Sequence, residues 1–334
     1  MAQPKTAKEI MVTKLVTLSP NEHVYDGIAG LLKNNITGAP VIDGQKKYLG
    51  VFSEKCCMNV LDVMARSVWG SKPNTKGSVP VSQAMATKLV SLAPESDAFD
   101  AIEKLLKNRI SGAPVLDSKG KFLGVFSEKD SMRVLISGAY DQLPSTNVGS
   151  LMNASRERMI SPDTDLLEAA QKFSETSLRR LAVVDDEGVL VGQVSRRDIL
   201  RAEAEKAFSD STHHPVSSLA SQISELIRQD QESNDPEVNE ANSYTRFETS
   251  RIAYFMDQNA QTISEETGFL GIAQLFLDTP YRRLPVLRDG ELIGQISRRD
   301  LLRAANELFP ANKDRGKSLL YLSSLMDRKN CPIG

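Results

Sequence analysis

The stretch GQVSRRDILRA, residues 192–202, returns as GQISRRDLLRA at 294–304. The copies differ only at Val194/Ile296 and Ile199/Leu301, aliphatic for aliphatic each time. Such a return is the signature of a repeat architecture, and further copies follow. ITGAPVID at 36–43 returns as ISGAPVLD at 110–117, and LGVFSEK at 49–55 returns at 123–129. The opening pair sits inside the longer parallel passages LRRLAVVDDEGVLVGQVSRRD and YRRLPVLRDGELIGQISRRD. Four units result. Units one and two are most alike, as are three and four.

Each unit has the same coarse pattern. A short strand (KLVTL, KLVSL) ends at Pro20 or Pro94, where a residue without an N–H fits a strand end. Helical spacing follows in Val24, Ile28, Leu31 and Leu32, and in Phe99, Ile102, Leu105 and Leu106. Two apolar runs then flank turns such as SKGK, DEGV and RDGE, which is hairpin chemistry. A last helix starts at a Ser-x-x-Asp turn. The predicted fold class is α/β, with β-α-β-β-α written four times. One unit is too small to bury both faces of its sheet, so pairing is expected. The grouping predicted is 1–137 for units one and two, a linker at 138–150, and 151–309 for units three and four. A polar insert at about 209–249 reads as a flexible excursion inside the second pair. Residues 310–334 carry an apolar stripe (Leu319, Leu320, Leu322, Leu325, Met326) and are predicted to be helical.

Composition limits what the chain can do. Its 40% hydrophobic and 25% charged content is that of a soluble globular protein. No apolar run approaches the roughly 20 residues of a membrane-spanning helix, and the N-terminus lacks a secretory apolar core. Three cysteines make no disulfide framework, so a cytoplasmic location is expected and no membrane partner. A formal net charge of −2 gives no general attraction to nucleic acid, so an anion site must be built locally. There is no G-x-S-x-G, H-E-x-x-H, P-loop or dinucleotide fingerprint. The histidines His23, His213 and His214 form no metal motif. No catalytic residues, metal site or required cofactor are expected.

The passages ISGAPVLD with GVFSEKD, and LRRLAVVD with GQVSRRD, resemble the CBS domain, the repeat named after cystathionine beta-synthase. The resemblance covers about 10–310 apart from the insert. It implies that two repeats form a Bateman module and that two modules stack as a disc. Four repeats in one chain resemble the gamma regulatory subunit of AMP-activated protein kinase in architecture.

The Ser-x-x-Asp turns at Ser127/Asp130, Ser195/Asp198 and Ser297/Asp300 have two readings. One is a capping box, in which serine and acid satisfy backbone N–H groups at the helix start. The other, implied by the resemblance, is an adenine-nucleotide site, with the acid receiving the two ribose hydroxyls. A carboxylate only accepts, which suits a diol that donates twice. Unit one has Cys56 at the acid position, and a thiol cannot receive two hydroxyls. The site built on it is expected to be empty or altered.

Doubled arginines mark units three and four: Arg179 and Arg180, Arg282 and Arg283, then Arg196 and Arg197, Arg298 and Arg299 in the turns. Guanidinium forks match phosphate oxygens. By resemblance, each site is shared across a pair of repeats. Ser297 and Asp300 are then expected to meet Ser161, Leu166, Arg179 and Arg180. Ser195 and Asp198 are expected to meet Ser264, Phe269, Arg282 and Arg283, with Phe269 either stacked on adenine or part of the core. Ser127 and Asp130 are expected to meet Ser19, Val24, Thr37 and Gly38. The implied ligand is AMP, ADP or ATP, with S-adenosylmethionine ranked below them. The implied function is a non-catalytic nucleotide sensor acting on a separate effector protein: a kinase, a transporter or a metabolic enzyme. The alternative is a ligand-free scaffold whose turns only cap helices. Self-association stays open, and a nucleic-acid partner is not expected.

Overall fold

The structure is a computed structural model that describes residues 5–69, 79–139, 146–202 and 251–308. The predicted insert and C-terminal tail lie outside these residues, as does part of the predicted linker. Each unit opens with a short leader segment and continues into a first helix: Val24–Lys33, Ala98–Lys107, Leu166–Glu175 and Phe269–Asp278 in units one to four. The helix starts follow from their capping residues. Asp97 accepts from the Phe99 N–H at 2.8 Å, Asp165 from Leu167 at 2.7 Å, and His23 Nδ1 from Tyr25 at 3.3 Å. Unit four opens instead at Gly268, without a side-chain cap.

An antiparallel hairpin follows in every unit: Gly38–Ile42 with Tyr48–Ser53, Gly112–Leu116 with Phe122–Ser127, Arg180–Val184 with Leu190–Ser195, and Arg283–Arg288 with Glu291–Ser297. Asp43, Asp117 and Asp185 brace the first three turns by accepting two backbone N–H groups each. Unit four turns tightly at Asp289–Gly290, both with positive φ, as a two-residue hairpin of this hand requires. The first strand of each unit is brief. Met159–Ile160 and Ile263–Ser264 pair in parallel with their hairpins. In units one and two the predicted strand shrinks to one parallel bridge, at Leu18 and Leu92. The second helix then begins directly at the turn: Glu54–Trp69, Glu128–Ala139, a helical run at 196–202, and Arg298–Leu308.

The predicted grouping of units one with two and three with four is not what the chain does. Units one and four exchange leaders. Val12 bridges Gln295 of unit four, and Asp257 bridges Val51 of unit one. Units two and three do the same through Ala86 with Gln193 and Asn153 with Val125. Residues 146–153, placed in or beside the predicted linker, are thus the leader laid on unit two. The physical reason is visible at one glycine in each hairpin. A Cβ on Gly124 would lie 2.6 Å from the Asn153 carbonyl oxygen, and one on Gly50 would lie 2.6 Å from that of Asp257. Only a residue without a side chain admits the borrowed strand so closely.

Helices close the remaining faces. The second helix of unit one packs on the first helix of unit three, and that of unit two packs on the first helix of unit four. Two apolar cores result. One joins units one and three around Phe52, Leu31, Phe173 and Ile199. The other joins units two and four around Phe126, Leu105, Phe276 and Leu301. Leaders are pinned into these cores by Ala7, Val81, Val148 and Ile252. The leader exchanges and helix packings therefore run in a cycle, one, four, two, three, and back to one, with Arg179 of unit three also donating to the Pro280 carbonyl of unit four at 2.9 Å.

Candidate functional site

Hairpin and second helix meet at the Ser-x-x-Asp turn, and three units build it alike. Asp130 Oδ2 accepts from the Ser127 N–H at 2.9 Å and the Ser127 hydroxyl at 2.6 Å. Asp198 is held by Ser195 at 2.8 and 2.5 Å, and Asp300 by Ser297 at 2.9 and 2.5 Å. The N–H groups of Asp198 and Asp300 donate back to their serines. This reciprocal bonding is a capping box, and it uses one carboxylate oxygen. Asp198 and Asp300 are half-buried and Asp130 is 5% exposed. Burial pushes the Asp130 carboxyl above its ordinary value, against the pull of Ser127 and of the guanidiniums of Arg133 and Arg158. Arg158 belongs to the early part of unit three, so the unit-two turn faces its leader-exchange partner.

Unit one changes both sides of this arrangement. Ser53 Oγ and Cys56 Sγ are 3.4 Å apart, and the thiol donates to the Val51 carbonyl at 3.6 Å. The leader brought against it carries Asp257, which interacts with Cys56. Burial raises the thiol, so Cys56 is a neutral core group rather than a reactive one. Asp257 is already engaged: its carboxylate accepts from the Tyr281 hydroxyl at 3.0 Å and from the Asn259 N–H at 3.1 Å.

The arginines divide by task. Arg196, 4% exposed, donates to the carbonyls of Phe173 and Thr176 at 3.0 and 3.1 Å and lies over the Phe173 ring. Arg298 does the same with Phe276 and Thr279 at 2.8 and 3.0 Å. Both close the C-terminal end of their own first helix, and burial lowers each to about 10. In both, Nη2 is the capping atom. Arg197 pairs with Glu54 at 3.0 Å and also reaches Asn35. Arg299 lies 3.3 Å from Glu128, and Arg282 pairs with the same carboxylate at 3.1 Å. Glu54 and Glu128 occupy the turn position that Arg196 and Arg298 hold in the other units. They were not among the residues singled out from the sequence, although acid against arginine at one repeat position is a readable signal.

Arg283 donates to Thr37 Oγ1 at 2.7 Å, and Arg180 donates to Ser111 Oγ at 2.6 Å. Each lies opposite the serine of its own unit, Arg283 across from Ser297 and Arg180 across from Ser195. The acids follow: Asp300 acts on Arg283, and Asp198 acts on Arg180. Of the residues expected to meet, the structure sets Asp300 near Arg283 and Asp198 near Arg180, each within its own unit, and joins Thr37 and Gly38 of unit one to Arg283 of unit four. Val24, Leu166 and Phe269 are buried core residues, since each is the first residue of a first helix and faces inward. Phe269, at 3% exposed, presents no ring to a ligand. Ser19, Ser161 and Ser264 are exposed, and their hydroxyls serve the short turns that open those helices.

A cleft of about 190 Å³ opens where unit one meets units three and four. It gathers Thr37, Gly38, Arg179, Arg282 and Arg283 from the predicted set, with Ser53 of the unit-one turn. Among the described residues no cluster of metal-ligating side chains occurs, and no helix is long and apolar enough to cross a membrane.

Comparison with known proteins agrees with the repeat count. The CBS domain family profile matches residues 7–62, 81–136, 148–205 and 251–307. The chloroplastic CBS domain-containing protein CBSX1 of Arabidopsis thaliana is 32% identical over 171 residues, 41% of this chain and 72% of that protein. The 5'-AMP-activated protein kinase subunit gamma-3 of Sus scrofa is 25% identical over 199 residues, 56% of this chain and 38% of that protein. A crystal structure of CBSX2 in complex with AMP covers 38% of this chain and 97% of its own, at 30% identity and a TM-score of 0.35.

Proposed function

The chain belongs to the CBS domain family, and we propose that it is a non-catalytic regulatory protein that binds adenine nucleotides at its Ser-x-x-Asp turns. Ligand state then passes to a separate effector protein. The observation that carries this reading is a carboxylate oriented by its serine at three turns, with the charge of a guanidinium felt at each: Arg158 at Asp130, Arg180 at Asp198 and Arg283 at Asp300. Each carboxylate spends Oδ2 on its serine. The other oxygen is the acceptor offered to ribose hydroxyls, with a cation beside it for phosphate. AMP, ADP and ATP fit that pairing better than S-adenosylmethionine, which brings a sulfonium in place of a phosphate. Binding moves an effector only if one arrangement of the cycle of units binds more tightly than another. The relative named as a protein kinase gamma subunit supports a kinase as that effector, and the reading assigns the protein to the cytoplasm.

The completed capping boxes favour a second reading, a scaffold in which these acids serve only the helices. Thermal-shift titration with AMP, ADP, ATP and S-adenosylmethionine decides between them. A ligand at a hundredfold excess over its Kd stabilises by about 2.7 kcal/mol. The expected result is a saturable upward shift that shrinks in Asp198→Asn and Asp300→Asn. No shift with any of the four ligands establishes the scaffold reading instead, and a full shift in both variants overturns the placement of the site at these acids.

A further inference from the structure

The turns at Asp198 and Asp300 belong to units three and four, which exchange no leader and share no core among the described residues. A closed circuit of contacts nevertheless joins them. From Asp300 it passes to Arg283 on the neighbouring strand, and from Arg283 to Thr37 Oγ1 at 2.7 Å. The Thr37 carbonyl accepts from the Glu54 N–H at 3.1 Å, and the Glu54 carboxylate accepts from Arg197 Nε at 3.0 Å, one residue before Asp198. The return arc repeats the pattern: Asp198 to Arg180, and Arg180 to Ser111 Oγ at 2.6 Å. The Ser111 carbonyl then accepts from the Glu128 N–H at 3.0 Å, and Glu128 faces Arg299, one residue before Asp300. Units one and two thus supply the middle of each arc. We infer that the two arcs couple the Asp198 and Asp300 turns, so that a nucleotide at either one strengthens binding at the other. The ligand in this inference rests on the nucleotide reading. Thr37, Glu54, Ser111 and Glu128 are positioning residues in it, acting through arginines.

Coupling needs an element with two arrangements that both sites bias, and the return arc contains one. In the first arc Arg197 Nε closes on Glu54 with a hydrogen bond. The matching atoms of the return arc, Arg299 Nε and Glu128 Oε1, lie 3.3 Å apart, and both are buried without a hydrogen-bond partner among the described residues. Arg282 takes the other oxygen of Glu128 at 3.1 Å, and Arg299 Nη2 donates instead to the Arg109 carbonyl at 2.9 Å. A buried donor and acceptor that face each other unbonded are costly, and a small turn of the guanidinium removes that cost. The Arg197–Glu54 link shows what the closed form looks like. A ligand that settles the Asp300 turn draws Arg299 towards closure. The circuit closes once, so the second ligand meets an arrangement already made, which is positive cooperativity.

Hydrogen exchange of the full chain, followed by mass spectrometry, reads the coupling without any ligand. Asp300→Asn is expected to speed exchange across residues 195–202 by about fivefold or more, the low end of measured couplings. The helix Val24–Lys33, off the circuit, is expected to stay unchanged. Ser111→Ala with Glu54→Gln cuts both arcs and leaves the acids of both turns in place; in that background Asp300→Asn is expected to leave residues 195–202 unmoved. Melting curves confirm folding, and Ser111→Ala with Thr37→Val cuts the same arcs should Glu54→Gln not fold. An unmoved 195–202 in the uncut chain overturns the inference. So does a response that survives in the cut chain, or one shared equally by Val24–Lys33, which is general loosening. Calorimetry with AMP in Asp130→Asn, where only the two turns are read, then adds the ligand. A Hill coefficient above about 1.3 is expected in the uncut chain and about 1 in the cut one. About 1 in the uncut chain overturns the inference. A chain that takes up no AMP but shows the exchange response leaves the circuit standing and removes only the nucleotide reading.

Discussion

Units one and two finish their first helix with an asparagine; units three and four finish theirs with an arginine that reaches back from the next helix. Asn34 and Asn108 each donate to a carbonyl of the last turn at 2.8 Å. In the other half Arg196 and Arg298 do this work from the turn, helped by the hydroxyls of Thr176 and Thr279. The local cap leaves the turn position free in units one and two. Glutamate occupies it, and Glu54 and Glu128 hold arginines that come from units three and four. One backbone position thus stabilises its own unit in half of the molecule and joins different units in the other half. The difference explains why unlike units meet through their helices.

The largest expected break in this arrangement is Glu128→Gln. Glu128 is 3% exposed and serves Arg282 and Arg299, so its loss leaves two guanidiniums short of a counter-charge. A cost of about 3–5 kcal/mol is expected in urea unfolding, typical of a broken buried pair. A loss below about 1 kcal/mol would mean that the two halves are not held together here. Arg298→Gln tests the other half, removing two carbonyl bonds and a ring contact at an expected cost of about 3 kcal/mol. Asn108→Ala, the corresponding cap in unit two, is expected to cost only about 1 kcal/mol. Equal losses in the two variants would erase the distinction between the halves.

Unit one sharpens the comparison from within its own half. Its turn carries Cys56 opposite Asp257, where unit two carries Asp130 opposite Arg158. Cys56→Asp is expected to destabilise by about 2 kcal/mol, because it buries a second carboxylate beside the first. Adding Asp257→Asn should recover about half of that loss, and a double variant no better than the single one breaks the pairing argument.

The smallest effect expected is on acid stability at the exposed edge of unit four. Bidentate hydrogen bonds from Arg288 hold the Glu265 carboxyl down to about 2, with Lys8 of the borrowed leader adding a weaker pull. A folded-state value below the unfolded one contributes stability above the ordinary carboxyl range, and that contribution disappears as pH falls from about 4.5 towards about 2. A carboxyl NMR titration of Glu265 should show its midpoint near the bottom of that window, and Glu265→Gln should flatten the acid limb slightly there. A midpoint near 4.5 would refute the pairing.

The units themselves were legible because their signals are local. Hairpins followed from Asp/Gly turns, first helices from spacing and caps, and turns from the Ser-x-x-Asp motif. Their pairing was not legible by likeness, since similarity reports common descent of units one with two and three with four, not contact. Contact follows complementarity: Glu54 and Glu128 against arginine, and Gly50 and Gly124 against a borrowed backbone. The expected site looked for arginines across a pair of repeats, whereas the arginine nearest Asp198 and Asp300 stands on the neighbouring strand of the same unit, Arg180 and Arg283. Val24, Leu166 and Phe269 failed differently, because an apolar residue just after a helix cap packs inward whatever lies outside.

The exchange of leaders has a consequence for how such a chain can change. Every repeat is covered by a leader segment that another repeat lends, so the first and last units depend on each other despite their distance in the sequence. Deleting one repeat would strip its debtor of a covering strand and leave an open sheet edge ready to pair with a stranger. Repeat number is therefore fixed by mutual lending, and gain or loss is expected to come in reciprocal couples, never singly.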